Sequence, residues 1–215
     1  MRLALPAPPL LVITDRLSAT KNLSHVIPDV LNAGCRWLMV REKDLGTADL
    51  GELAKEVVDQ ARPFGGCVMV NGDVDAAESS GAAGVHLQSA AQVASARERL
   101  GDNALIGVST HSSKEAHEAA GAGADYITIS PVFLTDSKPG YGPALGIGGL
   151  ATICQHISLP VVALAGITPD SAASCLGAGA AAIAVMGTIM RSATPGTVVR
   201  DLLQSIESWY QQAPG

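Results

Sequence analysis

An α/β chain closing into a (β/α)8 TIM barrel is what this sequence predicts, and three observations predict it. The chain is 47% hydrophobic but only 16% charged, a balance that suits strands buried on both faces in a parallel sheet. A small residue followed by Gly recurs ahead of an apolar run: Ala33-Gly34, Ser80-Gly81, Ala122-Gly123 and Ala178-Gly179, with the glycines 47, 42 and 56 residues apart. Four further apolar runs fall between these repeats, giving eight strands alternating with helical patterns, the count of such a barrel. A doubly wound open sheet is the runner-up and needs fewer repeats.

Each repeat reads as a helix ending at a glycine that takes the left-handed conformation cheaply, with a strand directly after it. The strands expected in this way are Trp37–Val40, Gly84–Leu87, Tyr126–Ile129 and Ala182–Val185. The runs between them are Leu10–Ile13, Cys67–Val70, Leu105–Val108 and Pro160–Leu164. Helices are expected over Asn22–Ala33, Thr47–Ala61, Val74–Ser80, Ala91–Leu100, Ser113–Ala120, Leu150–Gln155, Pro169–Leu176 and Thr197–Tyr210. Thr47, Asp73, Ser113 and Thr168 are residue types that cap helix starts. Pro169 falls where a first-turn proline is tolerated.

The 215 residues suffice for one core, so residues 1–215 are expected to form a single barrel domain. A formal net charge of -6 argues against nucleic acid as a partner. No segment reaches membrane-span length, and three prolines interrupt the apolar N-terminal run. Cys35, Cys67, Cys154 and Cys175 lack metal spacing and have apolar neighbours. They read as reduced core thiols of a cytoplasmic protein. Assembly into a homo-oligomer is left open.

Barrels of this kind build their sites at the C-terminal ends of the strands. That rim carries Thr14-Asp15-Arg16, Arg41-Glu42-Lys43, Asn71-Gly72-Asp73, His86-Leu87-Gln88 and Ser109-Thr110-His111. After the sixth strand comes a loop of about 15 residues, long enough to suggest a function. Its Thr135, Ser137 and Lys138 suit a phosphate or pyrophosphate. Arg41 and Lys43, two apart, share one face of an extended chain, so both can point into the mouth; a salt-bridged rim is the alternative. Gly166 and Gly187 mark turns after the seventh and eighth strands, where backbone N–H groups build phosphate sites. His86 and His111 are able to do acid–base work, with a structural hydrogen-bonding role as the alternative for each. His25, His117 and His156 are expected on the surface. Asp73 is better read as a helix cap than as a metal ligand, so no metal site is expected.

Several motifs occur in one order: Ile13-Thr14-Asp15, Val40-Arg41-Glu42-Lys43, Val70-Asn71, Gly84-Val85-His86-Leu87, Ile106-Gly107-Val108-Ser109 with His111, Gly123-Ala124-Asp125-Tyr126, Pro131-Val132-Phe133 with Thr135, Ser137 and Lys138, and Gly166-Ile167-Thr168. In these the chain resembles the thiamine-phosphate synthases and their relatives, the thiazole tautomerases of the TenI branch, from about Leu11 to Met190. The synthase joins a pyrimidine diphosphate to a thiazole phosphate and releases pyrophosphate. The resemblance implies that Arg41, Lys43, Asn71 and Lys138 hold a diphosphate or an equivalent anion. It places Ser109, Thr135 and Ser137 among the substrate contacts, and Gly166 and Gly187 in the cradle of the thiazole phosphate.

Two departures bear on which branch is meant. The synthases carry an Asp after the strand-3 Asn as a Mg²⁺ ligand, and here that position is Gly72. They carry a second Asp after strand 4, and here the loop reads Gln88-Ser89-Ala90-Ala91-Gln92. The tautomerase branch needs no metal and shares the Asn-Gly turn, although a His it can carry after strand 6 is here Pro131. The expectation is therefore a TenI-like thiazole tautomerase: an isomerase without cofactor that takes a thiazole carboxylate phosphate, with His111 as the catalytic acid–base group. The alternatives are a thiamine-phosphate synthase with an altered metal site, using Mg²⁺, and a non-catalytic ligand-binding or regulatory barrel.

Overall fold

The computed structural model describes residues 3–135 and 143–212. Eight parallel strands form a closed barrel: β1 (Leu10–Ile13), β2 (Trp37–Val40), β3 (Cys67–Asn71), β4 (Gly84–Leu87), β5 (Leu105–Thr110), β6 (Tyr126–Ile129), β7 (Val161–Leu164) and β8 (Ala182–Val185). They lie in sequence order, and β1 closes the ring by pairing with β8 through Leu11 and Ala184. The expected fold class is the observed one.

Among the described residues nine α-helices pack outside: α1 (Leu23–Asn32), α2 (Thr47–Ala61), α3 (Val74–Ser80), α4 (Val93–Leu100), α5 (Ser113–Gly121), α6 (Gly146–His156), α7 (Pro169–Gly177), α8 (Gly187–Met190) and α9 (Pro195–Gln212). No helix among them is long and apolar enough to cross a membrane. The repeat glycines do what their position asks: Gly34, Gly81, Gly123 and Gly179 all have positive φ, between 69° and 109°.

Three details correct the expected elements. The cap of α5 is Ser112, not Ser113, because Ser112 is the extended residue whose hydroxyl accepts from the Glu115 amide. Gly46 stands at the cap position of α2, so Thr47 is already helical and its hydroxyl instead donates to the Asp73 carboxylate. Helix α6 starts four residues earlier than its apolar pattern, at Gly146, and α8 was not expected at all.

Alternation along the strands separates two apolar regions. Leu10, Val12, Leu38, Val40, Val68 and Val70 face the helices, while Leu11, Ile13, Trp37, Met39, Met69, Leu105, Tyr126, Val162 and Ala182 fill the barrel. Leu3 and Leu5 pack against this interior group. Trp37 meets Tyr126 edge-on at 5.2 Å, and the His86 ring stacks on Tyr126 at 5.5 Å. Gly107 makes room for that stack, since a Cβ there would lie 2.2 Å from Tyr126 Cζ and 2.5 Å from His86 Nδ1. Asp125, at the entrance to β6, is structural: its buried carboxylate accepts from the Ile106 amide and pairs with Arg97 at 2.7 Å.

Candidate active site

With the lower part of the barrel filled by side chains, the cavity opens at the C-terminal ends of the strands. It measures about 430 Å³ and is lined in part by Arg41, Lys43, Asn71, Ser109, His111, Thr135, Gly166 and Gly187. Eight of the expected site residues thus meet in one cavity. Ser137 and Lys138 lie outside the described residues.

The parity that fills the barrel also aims the site. Arg41 follows Met39 by two positions, Asn71 follows Met69, and Ser109 follows Gly107, so each continues the inward face. Glu42, between the two cations, has the opposite parity and a different task. It is buried, accepts the Thr14 hydroxyl at 2.6 Å, and accepts the Arg16 amide at 3.0 Å. Thr14 in turn accepts the Arg41 backbone N–H at 2.9 Å. Burial pushes the Glu42 carboxyl up, against the pull of these two hydrogen bonds. Glu42 therefore ties the end of β2 to the β1 loop, and Arg16 pairs with Asp44 at 2.6 Å rather than entering the cavity. The Arg41 guanidinium reaches across the mouth to the Met186 sulfur, 3.7 Å away.

The two rim histidines differ in kind. His111 Nδ1 lies 2.8 Å from the Ser130 carbonyl, which can only accept, so Nδ1 is the donor in that hydrogen bond. His86 lies at the base of the cavity with Nδ1 3.1 Å from the Tyr126 hydroxyl and Nε2 3.3 Å from the Thr128 hydroxyl. Burial drives its pKa down to about 3, so it stays neutral and acts as a structural hydrogen-bonder. His25, His117 and His156 are exposed, as expected.

At the far side of the mouth the β7 turn and α8 are joined by the Thr188 hydroxyl, which donates to the Ile167 carbonyl at 2.8 Å. Ala165 and Gly166 both have positive φ, 83° and 67°. A Cβ on Gly166 would stand 2.6 Å from the Leu134 carbonyl oxygen and from Phe133 Cβ, so this glycine lets the loop after β6 seat on β7. Gly166→Ala is accordingly expected to cost about 1–3 kcal/mol. Urea unfolding measures it, and an unchanged midpoint would contradict the close approach.

Arg191 belongs to the cavity lining and was missed. Its signal was the spacing: at the C-cap of α8 it falls four residues after Gly187, and its guanidinium folds back against that glycine. No carboxylate lines the cavity among the described residues, and no cluster of three His, Cys, Asp or Glu is placed to hold a metal ion. Gly72 has no side chain to offer a metal and its backbone N–H donates to the His86 carbonyl at 2.8 Å, while Asp73 is occupied as the cap of α3, accepting from the Ala76 amide at 2.8 Å.

A family model described as thiamine monophosphate synthase matches residues 10–189. The chain is 38% identical over 195 residues to a thiamine-phosphate synthase of Chloroflexus aurantiacus, covering 90% of both. It is 39% identical over 206 residues to the thiamine biosynthesis bifunctional protein ThiM/ThiE of Symbiobacterium thermophilum, and spans 93% of itself but only 42% of that longer protein. The solved structure of a thiamine phosphate pyrophosphorylase from Pyrococcus furiosus superposes with a TM-score of 0.82 at 30% identity, covering 93% of this chain and 96% of the other.

These findings correct the expected activity. Relatives 36% and 38% identical along most of their length are named thiamine-phosphate synthases, which are transferases. The reading as a metal-independent thiazole tautomerase, an isomerase, is overturned. That reading let two missing carboxylates decide the branch against the similarity of the whole chain.

Proposed function

Because the chain belongs to the thiamine monophosphate synthase family, we propose that it couples a pyrimidine diphosphate to a thiazole phosphate and releases pyrophosphate. The observation that supports this most is a single cavity lined both by Arg41 and Lys43, from the end of β2, and by the Gly166 and Gly187 turns after β7 and β8. Such a lining offers anchors to two anionic substrates.

Arg41 and Lys43, with the Asn71 amide, hold the diphosphate. As its C–O bond lengthens, negative charge grows on the leaving oxygens, so these groups bind the transition state more tightly than the substrate. The Gly166 and Gly187 turns anchor the thiazole phosphate, and Ser109 and Thr135 fix the two rings relative to each other. Lys138 and Ser137 are assigned to the diphosphate side from the sequence alone. His111 loses the proton shift once assigned to it and serves as a hydrogen-bonding contact to substrate. The setting is cytoplasmic, where unpaired thiols such as the four cysteines stay reduced.

The synthase resemblance implies Mg²⁺, and the residues present do not fit it. Mg²⁺ is bound through carboxylates and phosphates, while the described rim offers Gly72, the exposed amide of Gln88 and an Asp73 already engaged. In this proposal the protein's own cations meet the charge of the diphosphate.

The test is pyrophosphate release measured with both substrates, with Mg²⁺ and with EDTA. Release that requires both substrates and persists in EDTA is expected. Loss of release in EDTA would return Mg²⁺ to the site. Tight thiazole-phosphate binding without release under either condition would leave a ligand-binding barrel.

A further inference from the structure

We infer that Met186 is a modification site of this protein: a hydroperoxide converts its thioether to the sulfoxide, and the new oxygen draws the Arg41 guanidinium away from the anion it would hold. The inference rests on the reading of Arg41 given above. Met186 directly follows β8, lines the cavity and is half-buried. Its sulfur accepts from Arg41 Nη1 at 3.7 Å. The other methionines among the described residues are closed to solvent. Met39, although it also lines the cavity, is 1% exposed, and Met69 and Met190 are 0% exposed. Of these thioethers, Met186 is therefore the one that an oxidant in the cavity can reach. The thiols compete poorly. Burial pushes Cys35, Cys67, Cys154 and Cys175 up to about 11, so at neutral pH they stay protonated, whereas peroxide attack needs the thiolate. A thioether has no proton to lose and reacts as it stands.

In the step the O–O bond of the hydroperoxide breaks and its terminal oxygen forms the S–O bond. The proton on that oxygen passes to the departing oxygen, so the co-product is an alcohol, or water from hydrogen peroxide. Sulfur loses two electrons and the peroxide gains them. A thioether is a weak acceptor, and Arg41 can leave it for a phosphoryl oxygen at little cost. A sulfoxide is polar, and its oxygen takes a charge-assisted hydrogen bond from the same nitrogen, a stronger kind than a neutral one. The oxygen arrives on an atom already next to Nη1, so neither backbone has to move. Both backbones are fixed: the Met186 carbonyl accepts the Ile189 and Met190 N–H groups at 3.0 and 2.9 Å, and the Arg41 N–H donates to the Thr14 hydroxyl at 2.9 Å. The oxidised protein thus turns toward its own side chain a donor that the reduced protein offers to an anion.

Limited treatment with hydrogen peroxide, followed by peptide mapping and by calorimetric titration with inorganic pyrophosphate, tests the inference on the wild type, Met186→Leu and Met186→Gln. Met186 is expected to gain oxygen about tenfold faster or more than Met39, Met69 or Met190. The pyrophosphate affinity of the wild type should fall with it by about tenfold and return after treatment with methionine sulfoxide reductases. Peroxide should not change Met186→Leu further, whatever affinity that variant starts from. Met186→Gln, which carries a polar acceptor on an unbranched chain, should bind like the oxidised wild type without peroxide. Oxidation no faster at Met186 than at the buried methionines would overturn the inference. So would an unchanged affinity once Met186 is oxidised, an equal loss on peroxide treatment of Met186→Leu, or a reduced wild type that binds no pyrophosphate. A wild type that releases no pyrophosphate from the two substrates, yet binds added pyrophosphate with an affinity that depends on the oxidation of Met186, would defeat the coupling reaction and leave this assignment standing.

Discussion

Arg41→Ala is expected to lower kcat/KM for pyrophosphate release by about 10²–10³-fold, the loss typical of removing one donor aimed at developing charge. Three features single out this arginine. It continues the inward face of β2 after Trp37 and Met39. Its backbone is held by Thr14, which Glu42 holds in turn. Its guanidinium extends over the mouth rather than into a salt bridge, with the Met186 sulfur as its neighbour. Because charge on the leaving diphosphate grows along the reaction, kcat should fall more than KM rises. Arg41→Lys keeps the charge but not the fork, and should recover only part of the rate. The thermal midpoint should barely move, since no buried partner is orphaned by the change. Steady-state kinetics on both variants decide the matter: a kcat/KM equal to wild type would remove Arg41 from the site.

The barrel was legible because its signals are local and periodic. Strands buried on both faces appear as unbroken apolar runs, and five of the eight have the expected bounds. Pro160 drops out of β7, as a residue without an N–H to donate would. What escaped was structure without period. Helix α8 is four residues long and has no apolar stripe to read, so no such pattern marked Arg191, at its C-cap, as part of the cavity lining. The start of α6, Gly146-Ile147-Gly148-Gly149, reads as loop because glycine disfavours helix, but Leu145 and Gly146 are fixed by hydrogen bonds to Pro131 and Val132. Parity put Arg41 and Lys43 on one face of the chain, and both line the cavity. It did not tell Glu42's tie to Thr14 from a rim salt bridge, because that depends on which loop lies next to β2. The activity was misjudged for another reason. Gly72 and the strand-4 loop say what this site lacks, not which reaction the remaining residues perform.

Acid should destabilise this barrel through His86, and the effect should be large. The ring is buried at the base of the cavity, hydrogen-bonded to Tyr126 and Thr128, and burial lowers its pKa to about 3. In the unfolded chain the same ring takes a proton near the ordinary value of about 6.5. Between these values the unfolded state binds one more proton than the native state. The contribution of His86 is therefore fully present above about pH 6.5 and is lost as pH falls toward about 3. One proton corresponds to about 1.4 kcal/mol per pH unit, or roughly 4–5 kcal/mol over the whole window. That is a sizeable part of the 5–15 kcal/mol that typically holds a domain folded. His86→Gln keeps a polar group opposite Tyr126 and Thr128 but cannot titrate. Urea unfolding of both proteins from pH 7 to pH 4 separates this group from the carboxylates, which titrate equally in each. The wild type should lose stability more steeply than His86→Gln by close to one proton's worth at each step below pH 6. Parallel profiles would mean that the buried ring accepts its proton in the native barrel, with the Tyr126 and Thr128 hydroxyls turned to receive it.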